Sequence, residues 1–140
     1  MDKTRVLIID DEPALSHLLT LHLLARDCYE VREEAIGMRS LETARRFHPD
    51  IILLDIVMPE IDGLDLACLL RNDPVIGEVP LIFLSASIPK EACGDLTGTI
   101  NGFPFLLKPV SVDLIIEHIQ HSLAHAPQPQ GTIGTRPDVI

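Results

Sequence analysis

Short aliphatic runs punctuate the chain, and each ends in polar or turn-forming residues. Val6-Leu7-Ile8-Ile9 leads into Asp10-Asp11-Glu12-Pro13, and Ile51-Ile52-Leu53-Leu54 into Asp55. Pro80-Leu81-Ile82-Phe83-Leu84 leads into Ser85-Ala86-Ser87, and Phe105-Leu106-Leu107 into Lys108-Pro109. Such runs are apolar at both parities, which predicts strands buried on both faces, as in the interior of a parallel sheet. Tyr29 to Glu33 alternates weakly and predicts a strand nearer an edge. Between the runs the period changes to that of helices. Pro13 suits a first helical turn, and Leu15, Leu18, Leu19 and Leu23 then predict an inward face, widened by Leu21 and Leu24. Met38 to Phe47 predicts a second helix with Leu41, Ala44 and Phe47 inward and Arg39, Arg45 and Arg46 outward. Asp62 is placed to cap a third, with Asp65 in its first turn, Leu66, Leu69 and Leu70 on its apolar face, and Asn72-Asp73-Pro74 closing it. Ser111 is placed to cap the last helix, with Val112, Ile115, Ile116, Ile119 and Leu123 at helical spacing. From Pro89 to Gly98 only a short or weak helix is expected, because Gly94 and Gly98 oppose one.

Strand and helix alternate five times, so the pattern predicts an α/β fold. It is a three-layer, doubly wound sandwich around a five-stranded parallel sheet with right-handed crossovers. Residues 1–126 form one domain. The stretch from Pro127 to Ile140 has no pattern and is expected to be a disordered tail or the start of a linker.

Composition narrows the function. A chain of 140 residues can bury one sizeable core, and its net charge of −10 argues against direct binding to nucleic acid. No apolar run approaches a membrane span, and the N-terminus enters a strand-like run too short for a signal peptide, so a cytoplasmic location is expected. Cys28, Cys68 and Cys93 are odd in number and far apart, which implies neither a disulfide framework nor a zinc site.

The candidate chemistry lies at the ends of the aliphatic runs. In a parallel sheet the carboxyl ends of all strands face one edge, where ligands bind. Asp10 and Asp11, Asp55, Ser85 and Lys108 therefore converge on one pocket. Three carboxylates at close range repel one another and call for a cation. Oxygen-only ligands with open positions suit Mg²⁺, with Mn²⁺ as a substitute. A carboxylate nucleophile, a hard cation, a lysine and a hydroxyl make a phosphoryl-transfer site, with Asp55 as the attacking group.

The stretches Ile9-Asp10-Asp11-Glu12-Pro13, Leu54-Asp55-Ile56-Val57-Met58-Pro59, Asp62-Gly63, Leu84-Ser85-Ala86 and Leu107-Lys108-Pro109 closely resemble receiver domains of two-component response regulators. The likeness runs from about Thr4 to Ala126, and five islands in order make it specific where any one would be weak. The resemblance implies the flavodoxin-like strand order 2-1-3-4-5. It implies that Asp55 accepts a phosphoryl group from a sensor histidine kinase or phosphotransfer protein. Mg²⁺ would be held by Asp10, Asp11, Asp55 and the backbone carbonyl of Val57. It also implies that Lys108 pairs with Asp55 before transfer and with the phosphate after. Ser85 would bond a phosphoryl oxygen, and Phe105 would be the switch aromatic that turns inward with Ser85. The family commonly has a cis bond before the proline of Lys108-Pro109. Two departures stand out. Phe105 lacks the hydroxyl that a tyrosine would bring, and Asn101-Gly102-Phe103-Pro104 replaces the usual approach to the last strand, one residue shorter. Val57 and Ser87 flank the phosphoryl site in this family. An apolar Val57 cannot orient a water, so a long-lived phosphoryl group is expected.

Each residue also has a plainer reading. Asp10 or Asp11 could simply cap the first helix, Asp55 could be a carboxylate held by backbone donors, and Ser85 and Phe105 could be ordinary strand residues. The joint pattern outweighs these. His118, His121 and His125 share a face of the last helix, and such faces are more often solvated than metal-bound. Among whole functions, an aspartyl-phosphate phosphatase would need a general acid at the position of Val57. A flavin module would need a phosphate-cradling loop, and none is present. A pseudo-receiver that binds partners without phosphorylation is the remaining alternative. The expected protein is thus a phosphoacceptor that assists its own phosphorylation and dephosphorylation rather than an enzyme. Its partners would be the phosphodonor and a downstream protein, output domain or second copy. The tail fits both a stand-alone receiver and a piece of a longer regulator or hybrid kinase.

Overall fold

A computed structural model describes residues 2–86, 99–108 and 111–125. The chain runs β1 (Thr4–Ile9), α1 (Pro13–Leu24), β2 (Tyr29–Glu34), a 3-10 turn (Gly37–Arg39), α2 (Ser40–Phe47), β3 (Ile51–Leu54) and α3 (Gly63–Arg71). It continues through β4 (Leu81–Ser85), β5 (Thr99–Ile100), β6 (Phe103–Leu107) and α4 (Val112–Ala124). The strands form one sheet in the order β2-β1-β3-β4-β6-β5. The first five of these are parallel, which matches the order 2-1-3-4-5 once β6 is taken as the fifth expected strand. The short β5 is an addition. It pairs antiparallel with β6, because Asn101 and Gly102 both adopt positive φ (52° and 85°) and close a two-residue hairpin. The weak helix expected over Pro89–Gly98, Ser87, Pro109 and the patternless tail lie outside the described residues.

Alternate strand residues build two cores. Leu7, Ile9, Ile52, Leu54 and Phe83 face α2 and α3, where Ala44, Phe47, Leu66, Ala67 and Leu70 meet them. Val6, Ile8, Ile51, Leu53, Ile82 and Leu84 face α1 and α4, against Leu19, Leu23, Ile115, Ile116 and Ile119. β1, β3 and β4 are therefore covered on both faces, as continuous aliphatic runs require.

The helices follow their caps. Asp62 accepts a hydrogen bond from the Leu64 amide at 2.7 Å, and Ser111 accepts one from the Leu114 amide at 3.1 Å. The plainer reading of Asp10 or Asp11 as caps fails. Glu12 occupies the N-cap of α1 without a side-chain bond, so Asp10 is left for other work. Two inward faces are corrected. In α1 the buried residues are Ser16, Leu19, Thr20 and Leu23, while Leu15 and Leu18 join Leu21 and Leu24 on the outside. In α3 Leu69 is exposed, and Leu66 and Leu70 carry the contact. Asp73 at the end of α3 is buried. It accepts from the amides of Val75 and Ile76 at 2.9 and 3.2 Å and is paired with Arg45 of α2. That pairing holds the Asp73 carboxyl below its ordinary value, through the Arg45 hydrogen bond above all, with the backbone amides assisting.

Phe83 is fully buried at the centre of the sheet and meets the Phe103 ring edge-on at a centroid distance of 5.6 Å. Phe83→Ala is expected to lose about 3–5 kcal/mol of stability. Urea denaturation checks this, and a loss below about 1 kcal/mol would mean that the core is not organised around this ring.

Candidate functional site

The pocket is assembled by strand register. Ile9 of β1 lies beside Leu54 of β3, so the residues that follow, Asp10 and Asp55, emerge side by side. Backbone bonds continue past the strand ends: the Asp55 amide donates to the Ile9 carbonyl at 2.9 Å, and the Asp10 amide to Glu34 at 3.1 Å. Asp10 and Asp55 are buried and Asp11 is half-buried. One carboxylate oxygen from each of the three lies within 4.8 Å of the others. Ser85 ends β4, with its residue only 3% exposed, and Lys108 follows β6, linked to Ser85 by a backbone bond of 2.9 Å. All five residues named from the sequence for this edge are thus brought together.

Their bonding differs in one respect from the expected pairing of Lys108 with Asp55. The Lys108 Nζ donates to Asp10 Oδ2 at 2.6 Å and lies 3.7 Å from Glu12 Oε1. Two carboxylates on the first loop hold the ammonium more strongly than Asp55 alone does. Glu12 was read only as part of a motif, and its neighbour Pro13 gave no hint that its side chain would reach back. Asp10 is further engaged by the Glu12 amide, which donates to its Oδ1 at 2.9 Å. Asp55 receives little, a long contact of 3.4 Å from the Val57 amide to Oδ1.

The electrostatics follow from this arrangement. Burial raises the Asp55 carboxyl above its ordinary value, and the charge of Asp10 raises it further. Lys108, the Ser85 hydroxyl and the Val57 amide oppose the rise without cancelling it. The Ser85 hydroxyl is close enough to Asp55 to be felt there, yet its Oγ is buried with no partner in good hydrogen-bond geometry. For Lys108, burial works to lower the ammonium's value, but the bond and charge of Asp10, with Asp55 and Glu12 behind, outweigh it and raise it.

Val57 sits on the rim with an exposed side chain, and Phe105 is half-buried against the α2–α3 core. Phe105 lies beside Phe83, and Leu107 beside Ser85, along the β4–β6 pairing. Gly63 is a site residue in another sense. A Cβ there would come within 2.6 Å of the Ile56 Cα and closer still to the Asp55 carbonyl. The N-terminus of α3 can press on the loop after Asp55 only because position 63 is glycine. Asp62-Gly63 signalled a helix start, but a close approach of this kind leaves no trace in local pattern.

The donor set fits a small hard cation. The ligands are all oxygen, three carboxylates crowd together, and a buried hydroxyl beside them lacks a partner. Along one side the pocket opens into an apolar groove of about 360 Å³ between α1 and α4, lined by Leu15, Leu18, Leu19, Leu84, Val112 and Ile115.

Without a cation, Asp55 is a liability to the fold. Its folded-state value is raised, so the native state binds the proton more readily than the unfolded chain does. The contribution of Asp55 to stability is then fullest below the ordinary carboxylate value and is lost as pH rises through the window above it, opposite in sign to that of Asp73. In metal-free buffer Asp55→Asn is therefore expected to raise the melting midpoint at neutral pH by a few degrees and to remove this fall. Thermal melts of both proteins between acid and neutral pH test it, and an Asn variant that melts below the parent would contradict the electrostatic account.

The chain matches the family model described as the response regulator receiver domain over residues 6–120. It is 33% identical over 128 residues to the polar-differentiation response regulator DivK of Brucella ovis, covering 90% of this chain and 100% of that protein. It is 31% identical over 121 residues to the DNA-binding dual master transcriptional regulator RpaA of Synechocystis, covering 83% of this chain. There it spans only 47% of the relative's length. The structure superposes with a TM-score of 0.72 on the receiver domain of the sensor histidine kinase PA1611 from Pseudomonas aeruginosa, at 25% identity over 87% of this chain and 98% of that one. That domain carries a magnesium ion coordinated in its active site cleft. Sheet order, carboxylate pocket and sequence agree: this chain belongs to the response regulator receiver domain family of two-component signalling.

Proposed function

We propose that the chain is a phosphorylation-dependent switch in which Asp55 accepts a phosphoryl group from a histidine on a kinase or phosphotransfer protein. The observation that carries this is the contrast between two neighbouring buried carboxylates. Asp10 accepts one bond on each oxygen, from Lys108 and the Glu12 amide, and keeps further lone pairs for a cation, whereas among the described residues Asp55 accepts only the long Val57 amide contact and lies beside the Ser85 hydroxyl. An Asp55 oxygen attacks phosphorus in line, the P–N bond to the donor imidazole breaks, and an acyl phosphate forms. Mg²⁺ held by Asp10, Asp11, Asp55 and the Val57 carbonyl would supply neutralisation of the phosphoryl oxygens. Lys108, already raised and so protonated throughout the neutral range, supplies a second positive charge. The Ser85 hydroxyl gains in the phosphoryl oxygen the acceptor it lacks.

Movement of Ser85 toward the phosphate frees space beside Leu107 and Phe105 on β6. The signal then passes to the surface of β6 and α4, where a downstream protein, an output domain or a second copy would bind. Catalysis on other molecules is not part of this reading, since the group transferred stays on the chain. Nothing in it requires a membrane, and among the described residues no helix is long and apolar enough to cross one.

The donor's approach is suggested by α1. This helix has no Asp, Glu, Lys or Arg from Pro13 to Leu24. Four of its leucines are exposed, and the apolar groove beside α4 leads straight to Lys108. A helix that is apolar all round is normally covered. A helical phosphodonor lying on it would bring its histidine to Asp55.

Two experiments test these readings. Acetyl phosphate with Mg²⁺ should add one phosphoryl mass to the protein, absent in Asp55→Asn and without the metal. That adduct should persist for minutes or longer after the donor is removed, because Val57 orients no water. No adduct would leave a phosphorylation-independent binding module in its place, and loss within seconds would refute the role given to Val57. Leu18→Glu should slow transfer from a protein donor by about tenfold or more, the loss of one anchoring contact. Labelling by acetyl phosphate should be unchanged. An equal effect on both donors would mean that Leu18 acts through the fold.

A further inference from the structure

The far end of α4 carries metal-ligating side chains that phosphoryl transfer does not use. His121 and His125 stand one turn apart, with ring centroids 4.3 Å apart and ring planes 32° from parallel. The His125 Nδ1 lies 2.9 Å from the backbone carbonyl oxygen of His121. A carbonyl oxygen can only accept, so Nδ1 carries the proton and, in the neutral ring, Nε2 keeps its lone pair. Metal-ligating histidines are typically held by such a bond from their other nitrogen. Two imidazole nitrogens on one tetrahedral ion, each about 2.0–2.1 Å from the metal, lie about 3.3 Å apart. Ring centroids 4.3 Å apart, one turn along the helix, place the two imidazoles near that spacing.

The surroundings favour a cation. The last turn of α4 is the negative end of its dipole, and the chain as a whole carries −10. The two rings line a cleft of about 550 Å³ that also contains Glu78 and Ser122. Among the described residues the one cationic side chain there, Arg71, has its guanidinium drawn over the Phe103 ring, 4.3 Å from the centroid. His118 is different. It opens with Glu117 onto a separate recess that only His121 shares.

We propose that His121 and His125 form a site for a borderline divalent transition ion, Zn²⁺ or the Cu²⁺ and Ni²⁺ ions that share its taste for imidazole. Water completes the coordination, and the Glu78 carboxylate lies within the same cleft. The site lies at the opposite edge of the sheet from Asp55. Its ligand chemistry is nitrogen rather than oxygen, so Mg²⁺ does not compete for it.

The test is calorimetric titration of ZnCl₂ into the full chain, with Mg²⁺ present in excess to fill the carboxylate pocket. One zinc per chain is expected. His121→Ala and His125→Ala should each weaken binding by about tenfold or more, and His118→Ala by less than twofold. Zinc should also raise the melting midpoint of the parent and not of the first two variants, since an ion bridging one helical turn braces α4. Circular dichroism melts without zinc guard against unfolding by substitution. Absence of zinc binding, binding indifferent to His121→Ala and His125→Ala, or an equal loss in His118→Ala would each overturn the assignment.

Discussion

The structure depends on a repulsion that it cannot avoid. Two parallel strands paired in the register of Ile9 with Leu54 must deliver Asp10 and Asp55 to the same place, with Asp11 close behind. Two unit charges about 4 Å apart repel by about 4 kcal/mol even at an effective dielectric of 20. The sheet overcomes this by burying aliphatic residues on both faces of β1, β3 and β4, and Lys108 relieves part of it from β6. The most aliphatic strands are also the ones that carry the acids. The chain needs its strongest packing where its charges are least comfortable.

The loop after Asp55 is held by close backbone contact rather than by side chains. The Gly63 amide donates to the Ile56 carbonyl at 2.7 Å, and Ile56 and Met58 are buried while Val57 points out. An in-out-in pattern pins the loop at two anchors and leaves Val57 at the mouth of the pocket. α3 begins against this loop, so the same glycine that starts a helix also sets the shape of the carboxylate pocket.

Much of this was legible in the sequence because runs such as Ile51–Leu54, short and bounded by turn-forming residues, read as buried strands, and in a parallel sheet the residues at their carboxyl ends share an edge. What escaped has physical causes. The inward face of α1 was misread because leucines surround the helix and hide its period. Ser16 and Thr20 face inward because their hydroxyls are satisfied close by. Thr20 Oγ1 donates to the Ser16 carbonyl at 2.8 Å, and Ser16 Oγ to Glu33 at 3.0 Å. β5 escaped although its signal was present. Asn-Gly is the strongest short hairpin cue, but a strand of two residues has no period to detect. The partner of Lys108 could not be read at all, since a choice among three carboxylates is made by distances set from four separate strands.

That choice bears on which acid reacts. A carboxylate that accepts an ammonium at 2.6 Å on one oxygen and an amide at 2.9 Å on the other is the weaker nucleophile, and Asp10 is in that position. A carboxylate that is buried, raised in proton affinity and, among the described residues, holding only a 3.4 Å amide contact is a better nucleophile once a cation offsets its charge, and Asp55 is in that one. The two acids have the same chemistry and nearly the same burial. They are separated by Lys108, which by binding one leaves the other available, and its position is fixed by the pairing of β6 with β4. The division of labour in the pocket is therefore a consequence of sheet order.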